Sequence, residues 1–324
     1  MRRVTTSAPG KLMLFGDHSV VYGHPCIVTA IDQRISVVVE KHEEHVFALS
    51  APDVGLVEYK KPKNQLGLHN VPRGVTFLET LYKVFLDRYP QNDGIFVETK
   101  SQFSSSFGFG SSSAVTVAFG RALMELYEIP FVELDLFRMC YQAVMEVQGV
   151  GSGFDIASAI WGKTIYYVKP AKVVEPLEIE SIPLIVGFTG VKADTATIVR
   201  MVEELKTRKP DFVQHIFDQI EEITNLARSA ISARDWRAVG QLMNQNEELL
   251  EELGVSSKEL DALIGAAKDL GEAHGAKLSG AGGGDCMISL GEDKQKIEDA
   301  IAMKGGEPMN VMANAGGVRV ELCE

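Results

Sequence analysis

The segment Gly108-Phe109-Gly110-Ser111-Ser112-Ser113 runs directly into AVTVAFGRALMELYEI at 114–129, whose apolar residues recur at helical intervals. A helix N-terminus presents unpaired amides and a partial positive charge, and glycines let a backbone approach a polyanion closely. Gly108, Gly110 and the amides through Ser111 and Ser112 therefore suit a phosphate cradle, and the Ser112 hydroxyl would add an oxygen ligand for Mg²⁺. Two plainer readings compete: the serines only cap the helix, or Ser104 to Ala114 is a flexible linker. Two better-known phosphate signatures fail. GKT at 162–164 has Ala157 where a P-loop needs glycine, and GFGSSS has Ser113 at the third glycine place of the dinucleotide fingerprint.

The elements that must position this loop can be read around it. The first hundred residues alternate as strands do: IVTAIDQRISVVVEK at 27–41 is β-branched and period-two in its second half, and GIFVETKS at 94–101 repeats the character. The stretch at 114–129 and ELDLFRMCYQAVMEV at 133–147 predict two core-facing helices broken at Pro130. Strand signals return at Ile165–Val173 and Ile182–Thr189, and helical periodicity dominates from about Asp194 to Ala273. Three helices fit there: Asp211–Ala233, Trp236–Glu252 and Ser257–His274, the last opened by a capping box with Ser256 as the cap. The tail from Ala276 alternates strand, helix and strand, which completes an α+β mixture with a division near residue 170, into 1–170 and 171–324.

At 324 residues the chain is long enough for two domains, and 45% hydrophobic with 23% charged residues is ordinary globular composition. No run is apolar and long enough for a membrane helix and no secretory signal opens the chain, so a cytoplasmic protein is expected. Cys26, Cys140, Cys286 and Cys323 lack the spacing of a disulfide framework or a zinc site, and HEEH at 42–45 is one residue short of HExxH. A net charge of −12 argues against nucleic acid and anionic lipid as partners. Phosphate, if bound, must then be held by backbone amides, a metal ion and a few placed cations.

Two further glycine-rich segments flank the first: SAPGKLMLFGDHSVVYG at 7–23 and AKLSGAGGGDCMISL at 276–290. Three such segments in this order resemble the three motifs of the GHMP family of small-molecule kinases. The likeness is greatest to the mevalonate-phosphorylating branch, which also carries a helix pair like MNQNEELLEELGVSSKELDALI at 243–264. The resemblance implies a ribosomal-protein-S5-like N-terminal domain with a left-handed β-α-β unit, a ferredoxin-like C-terminal domain, and a cleft where ATP and acceptor meet. It implies Asp155, in GSGFDIA, as the carboxylate facing the acceptor hydroxyl, with Lys11 beside it to stabilise charge; a helix cap and a surface lysine are the plain alternatives. It places Asp17, His18 and Thr195 at the acceptor, although a helix cap would also account for Thr195. Gly280, Ala281, Gly282 and Gly283 would face the Gly108–Ser112 loop across the nucleotide, and a homodimer is implied.

The chain departs from the pattern in three places. Val144 occupies the position of the metal-binding glutamate, and Glu146, two residues on, points to another helix face. QGVGSGFDIASAIWG and the GGGDC of the third motif, with Asp285, resemble the phosphomevalonate-kinase branch instead. The resemblance thus implies mevalonate as the acceptor, with a phosphorylated mevalonate as the alternative, for which Arg34, Lys100 and Lys192 are candidate cations to receive the substrate phosphate. A nucleotide-binding regulator that has lost catalysis is the reading from another class.

Overall fold

The computed structural model describes residues 2–68 and 71–324. In chain order its elements are β1 (Arg3–Phe15), β2 (Cys26–His42), β3 (Val46–Ala51), β4 (Leu56–Pro62), α1 (Arg73–Arg88), β5 (Gly94–Ser101), α2 (Ser111–Leu126), α3 (Glu133–Gln148) and α4 (Phe154–Trp161). There follow β6 (Thr164–Val168), β7 (Val173–Pro176), β8 (Leu184–Phe188), α5 (Thr195–Arg208), α6 (Pro210–Ser232), α7 (Trp236–Glu252), α8 (Lys258–Asp269), β9 (Gly275–Ser279), β10 (Cys286–Leu290), α9 (Lys294–Met303), β11 (Glu307–Met309) and β12 (Arg319–Cys323).

Two sheets organise these elements. The first has the order β12-β1-β2-β5-β3-β4, with β6 on β2 and β7 on β6. β3 and β5 run parallel and every other pair is antiparallel, the connection from β3 to β5 passing through β4 and α1. β1 is buried along nearly its whole length, as a strand covered on both faces must be. α2 packs against β1 and β2, and α1, α3 and α4 pack around α2. Phe47, Tyr82 and Phe119 meet at centroid distances of 5.6–6.4 Å beneath this layer. Each buried ring is worth roughly 1.5–3 kcal/mol of transfer free energy.

The second sheet has the order β11-β8-β10-β9, which is fourth, first, third, second, with all neighbours antiparallel. That is the ferredoxin-like arrangement, here with four helices between its first two strands. The division near residue 170 is crossed twice. β7 still belongs to the first sheet, and the chain returns to it at the end, where β12 pairs with β1.

Three expectations are corrected. α1 lies in a region read as strands; its buried Val75, Leu78, Leu81, Tyr82 and Phe85 have helical spacing, but β-branched and aromatic residues mask it. A fourth helix, α5, precedes the three expected, inside the stretch after Asp194 already read as helically periodic, and only Val202 of it is buried. The cap of α8 is Ser257, accepting from the Leu260 N–H at 3.3 Å, and Ser256 instead donates to Asp261 at 2.5 Å. Among the described residues, no helix is long and apolar enough to cross a membrane.

Candidate active site

β1 enters the site at Lys11. Its backbone N–H donates to the Phe109 carbonyl at 2.9 Å and its Nζ donates to the Gly108 carbonyl at 2.9 Å, which lays the loop after β5 along the strand. Gly108 takes φ 72°, and a Cβ there would stand 2.6 Å from Asp285 Oδ2, so two constraints demand glycine. Gly110 is the N-cap of α2 and no side chain caps the helix. The first helical bond runs from the Ala114 N–H to the Gly110 carbonyl at 3.0 Å, leaving the three preceding amides without helical partners. The capping reading of the serines therefore falls. So does the linker reading, because Phe109 is buried and meets Phe103 at 5.6 Å and Phe107 at 5.7 Å.

α4 brings Asp155 to the same place. Its N-cap is Gly153, so Asp155 sits in the first turn and is not the cap. Asp155 Oδ1 lies 3.6 Å from Lys11 Nζ. That oxygen is enclosed and accepts no hydrogen bond, although the side chain as a whole is 34% exposed. Burial pushes the carboxyl above its ordinary value, and the Lys11 charge pulls it partly back. The Phe154 ring lies 5.6 Å from Lys11 Nζ, which places the ammonium between a carboxylate, a carbonyl and an aromatic face. A hydroxyl entering here would meet a carboxylate oxygen with no competing partner and a cation to stabilise the charge it develops.

Beside the loop lies a cavity of about 970 Å³. Ile35, Leu49, Phe77, Leu78, Phe103 and Val115 form apolar walls, and Ser104, Ser105, Ser111 and Ser112 line its polar part. The serine-rich half of the loop is folded on itself, with Ser104 and Ser106 hydroxyls 2.6 Å apart. Phe77 and Leu78 come from α1, so the segment with strand-like composition supplies part of this wall.

The third glycine-rich segment is stitched to the first by four side chains. Ser279 Oγ accepts from the Met13 N–H and donates to the Met13 carbonyl, both at 3.0 Å. Asp17 Oδ2 accepts from Lys277 Nζ at 2.7 Å, and its Oδ1 accepts from the Gly280 N–H at 2.8 Å. His18 Nε2 lies 2.9 Å from the Ala281 carbonyl, and burial pulls its pKa down. Asp17 and Lys277 are both fully buried. The expected acceptor contact of Asp17 is corrected accordingly: both oxygens are engaged by the protein, and the group acts as a clasp. His18 likewise spends Nε2 on the loop. Lys277 was overlooked, and the available signal was a lysine in an otherwise apolar strand, which needs a counter-charge.

Gly282 and Gly283 approach Val255 and Ile198 so closely that a Cβ would stand 2.0 Å from the Val255 carbonyl oxygen or 2.4 Å from Ile198 Cδ1. Contact with the Gly108 loop comes through Asp285, at φ 58°. Asp285 Oδ1 accepts from the Ala193 N–H at 2.9 Å, and burial raises its pKa against the pull of Lys11 and Lys192. Thr195 is exposed at the first position of α5; the cap is Asp194, which accepts from the Thr197 N–H. Val144 is buried, and Glu146 is exposed and bonded to Gln142 at 3.0 Å. Among the candidate cations, Arg34 is buried with its guanidinium on Ser7, Gly316 and Gly317, so it serves the C-terminal segment. Lys100 is exposed on β5, and Lys192 lines the cavity.

Comparison with known proteins agrees with this fold. Residues 76–163 match the GHMP kinases N-terminal domain and residues 227–303 the GHMP kinases C-terminal model. The mevalonate kinase of Pyrococcus abyssi is 32% identical over 332 residues, covering 99% of this chain and 98% of its own. A Lin0012 protein from Listeria innocua superposes with a TM-score of 0.87 at 25% identity, covering 98% of this chain and 99% of that one. The L. major mevalonate kinase solved with R-mevalonate superposes at 0.73 with 27% identity, covering 92% and 90%. With both halves of the family matched in order, and its glycine-rich segments meeting around one lysine and one carboxylate, the chain belongs to the GHMP kinases.

Proposed function

We propose that this chain transfers the γ-phosphoryl group of ATP to a hydroxyl of mevalonate. The observation that carries the reading is Lys11, whose ammonium spans Asp155 Oδ1 and the Gly108 carbonyl beside the uncapped N-terminus of α2. The base and ribose of ATP occupy the apolar cavity, and the phosphates reach the amides of Ser111 and Ser112 with the backbone of the Gly280–Gly283 loop opposite. Asp155 accepts the hydroxyl proton, Lys11 stabilises charge on the transferring group, and Thr195 and His18 border the acceptor.

Mg²⁺ fits these residues. Asp155 Oδ1 is a buried oxygen without a partner, and Ser112 lines the cavity from the first turn of α2. Together they would hold the ion, which supplies neutralisation of the phosphate charge. A phosphorylated mevalonate as acceptor is the second reading, favoured by Asp285 in the third motif. The commitment of Arg34 to Ser7 and the C-terminal segment weighs against it.

A coupled assay of ADP release tests the assignment. Turnover with mevalonate and none with either phosphomevalonate is the expected result. Turnover with a phosphomevalonate alone would overturn the choice of acceptor, and nucleotide binding without turnover on any of the three would favour the regulator.

A further inference from the structure

Lys192 is the single Lys or Arg among the described residues lining the 970 Å³ cavity, and it comes from the second domain, between β8 and α5. The other charged lining residue, Asp53, is engaged at the β3–β4 turn, where Oδ2 accepts from the Ser101 N–H at 2.6 Å. Lys192 is exposed and forms no ion pair among the described residues. Its backbone is held on both sides. Val191 O accepts from the Asp285 N–H at 2.8 Å and from Thr189 Oγ1 at 3.1 Å, and the Ala193 N–H donates to Asp285 Oδ1 at 2.9 Å.

Asp285 therefore grips the residues immediately before and after Lys192 while its carboxylate abuts Gly108. One residue thus fixes the distance between the phosphate loop and the lysine. Lys11 holds the same loop at the Gly108 carbonyl. In a chain of net charge −12, a polyanion entering the cavity finds its attraction at such placed cations and at the α2 N-terminus.

We propose that Lys192 is a phosphate-contacting residue for the bound nucleotide, reaching from the second domain into the cavity of the first, and that Asp285 is the positioning residue that aims it. The proposal rests on the reading of this cavity as the nucleotide site. It assigns Lys192 to ATP and removes it from the cations available to a phosphorylated acceptor. Because the lysine belongs to one domain and the α2 amides to the other, the nucleotide phosphates are bound fully only when both domains are in place.

The test is equilibrium binding of ATP, ADP and adenosine to the full chain and to Lys192→Ala, Lys192→Arg and Asp285→Ala. Lys192→Ala is expected to weaken ATP and ADP about tenfold to a hundredfold, as loss of a charge-assisted contact does, while adenosine is unchanged. Lys192→Arg should restore most of the affinity. Asp285→Ala should weaken ATP in the wild-type background and add little once Lys192 is gone; additive losses would remove Asp285 from its positioning role. Unchanged ATP affinity in Lys192→Ala, or an equal loss for adenosine, would overturn the proposal. A higher KM for a phosphomevalonate with ATP affinity intact would overturn it in favour of an acceptor contact. Failure of the reading beneath it is separate and visible in the unmodified protein, as absence of binding of ATP, ADP and adenosine alike.

Discussion

Lys11 Nζ stands 3.6 Å from Asp155 Oδ1 and 2.9 Å from the Gly108 carbonyl oxygen it bonds. The hydrogen bond is to the loop, so Asp155 keeps an oxygen that accepts none. The ammonium is thereby shared between holding the phosphate loop and balancing the carboxylate, and the two duties separate on mutation.

Asp155→Asn keeps the shape and removes the proton acceptor. It is expected to lower kcat by about 10²–10⁴. Affinity for a non-hydrolysable ATP analogue measured without Mg²⁺ should change little, because the nucleotide cavity does not include residue 155. Steady-state rates beside calorimetric binding check both halves, and a variant near the wild-type rate would take Asp155 out of the chemistry.

Gly108→Ala meets Asp285 Oδ2 at 2.6 Å and must also hold φ at 72°. A strained backbone position of this kind costs about 1–3 kcal/mol, and the KM for ATP should rise with it. Adding Asp285→Gly removes the steric part and leaves the dihedral part. Partial recovery of thermal stability in the double variant is the expected result, and none would place the strain elsewhere.

Asp17→Asn or Lys277→Met alone leaves its partner charged in an interior with no solvent. Each is expected to cost about 3–5 kcal/mol, whereas the double variant should recover a large part of the loss. Denaturant unfolding of the four proteins gives the coupling. Simple addition of the two losses would show that the pair does not act as a unit.

Glu247 gives a pH signature. Burial pushes its carboxyl up to about 7 from an ordinary value of 4.5, against the pull of Lys277 and the Leu278 N–H; Asp17 and Glu251 add to the rise, and the Ser256 hydroxyl faces it at 3.5 Å. Below the ordinary value both states are protonated. As pH rises from about 4.5 to about 7, the unfolded chain releases a proton that the folded one keeps, so this group's stabilising effect is progressively lost. Relative to Glu247→Gln, the wild type should lose up to about 3 kcal/mol across that window and nothing further above it. A flat difference between the two proteins from acid to neutral pH would refute the shift.

Much of this arrangement can be read from the chain because its signals are local. The bounds of α7 fall where the periodicity places them and those of α6 within one residue, since both bury a long apolar stripe. The phosphate loop announces itself by glycines running into a helix. Asp17 was misread for the opposite reason: its partner Lys277 lies 260 residues away, and no local pattern says whether a carboxylate in a motif faces a substrate or another strand. Ser256 and Ser257 are adjacent and equally suited to capping, so only the path of the backbone distinguishes them. The strand-like composition of α1 hid the wall of the cavity it supplies.

The buried Asp17–Lys277 pair has a consequence for errors in assembly. A buried ion pair adds little net stability when correctly formed, because removing both charges from water offsets most of their attraction. Its effect is on wrong arrangements. If β9 slid by one residue against β1, the ammonium would be left in an apolar interior opposite no carboxylate, and the misaligned form would be penalised by several kcal/mol. The pair thus acts as a proofreading contact, rejecting any closure of the two sheets that would leave the third glycine-rich loop out of step with Lys11.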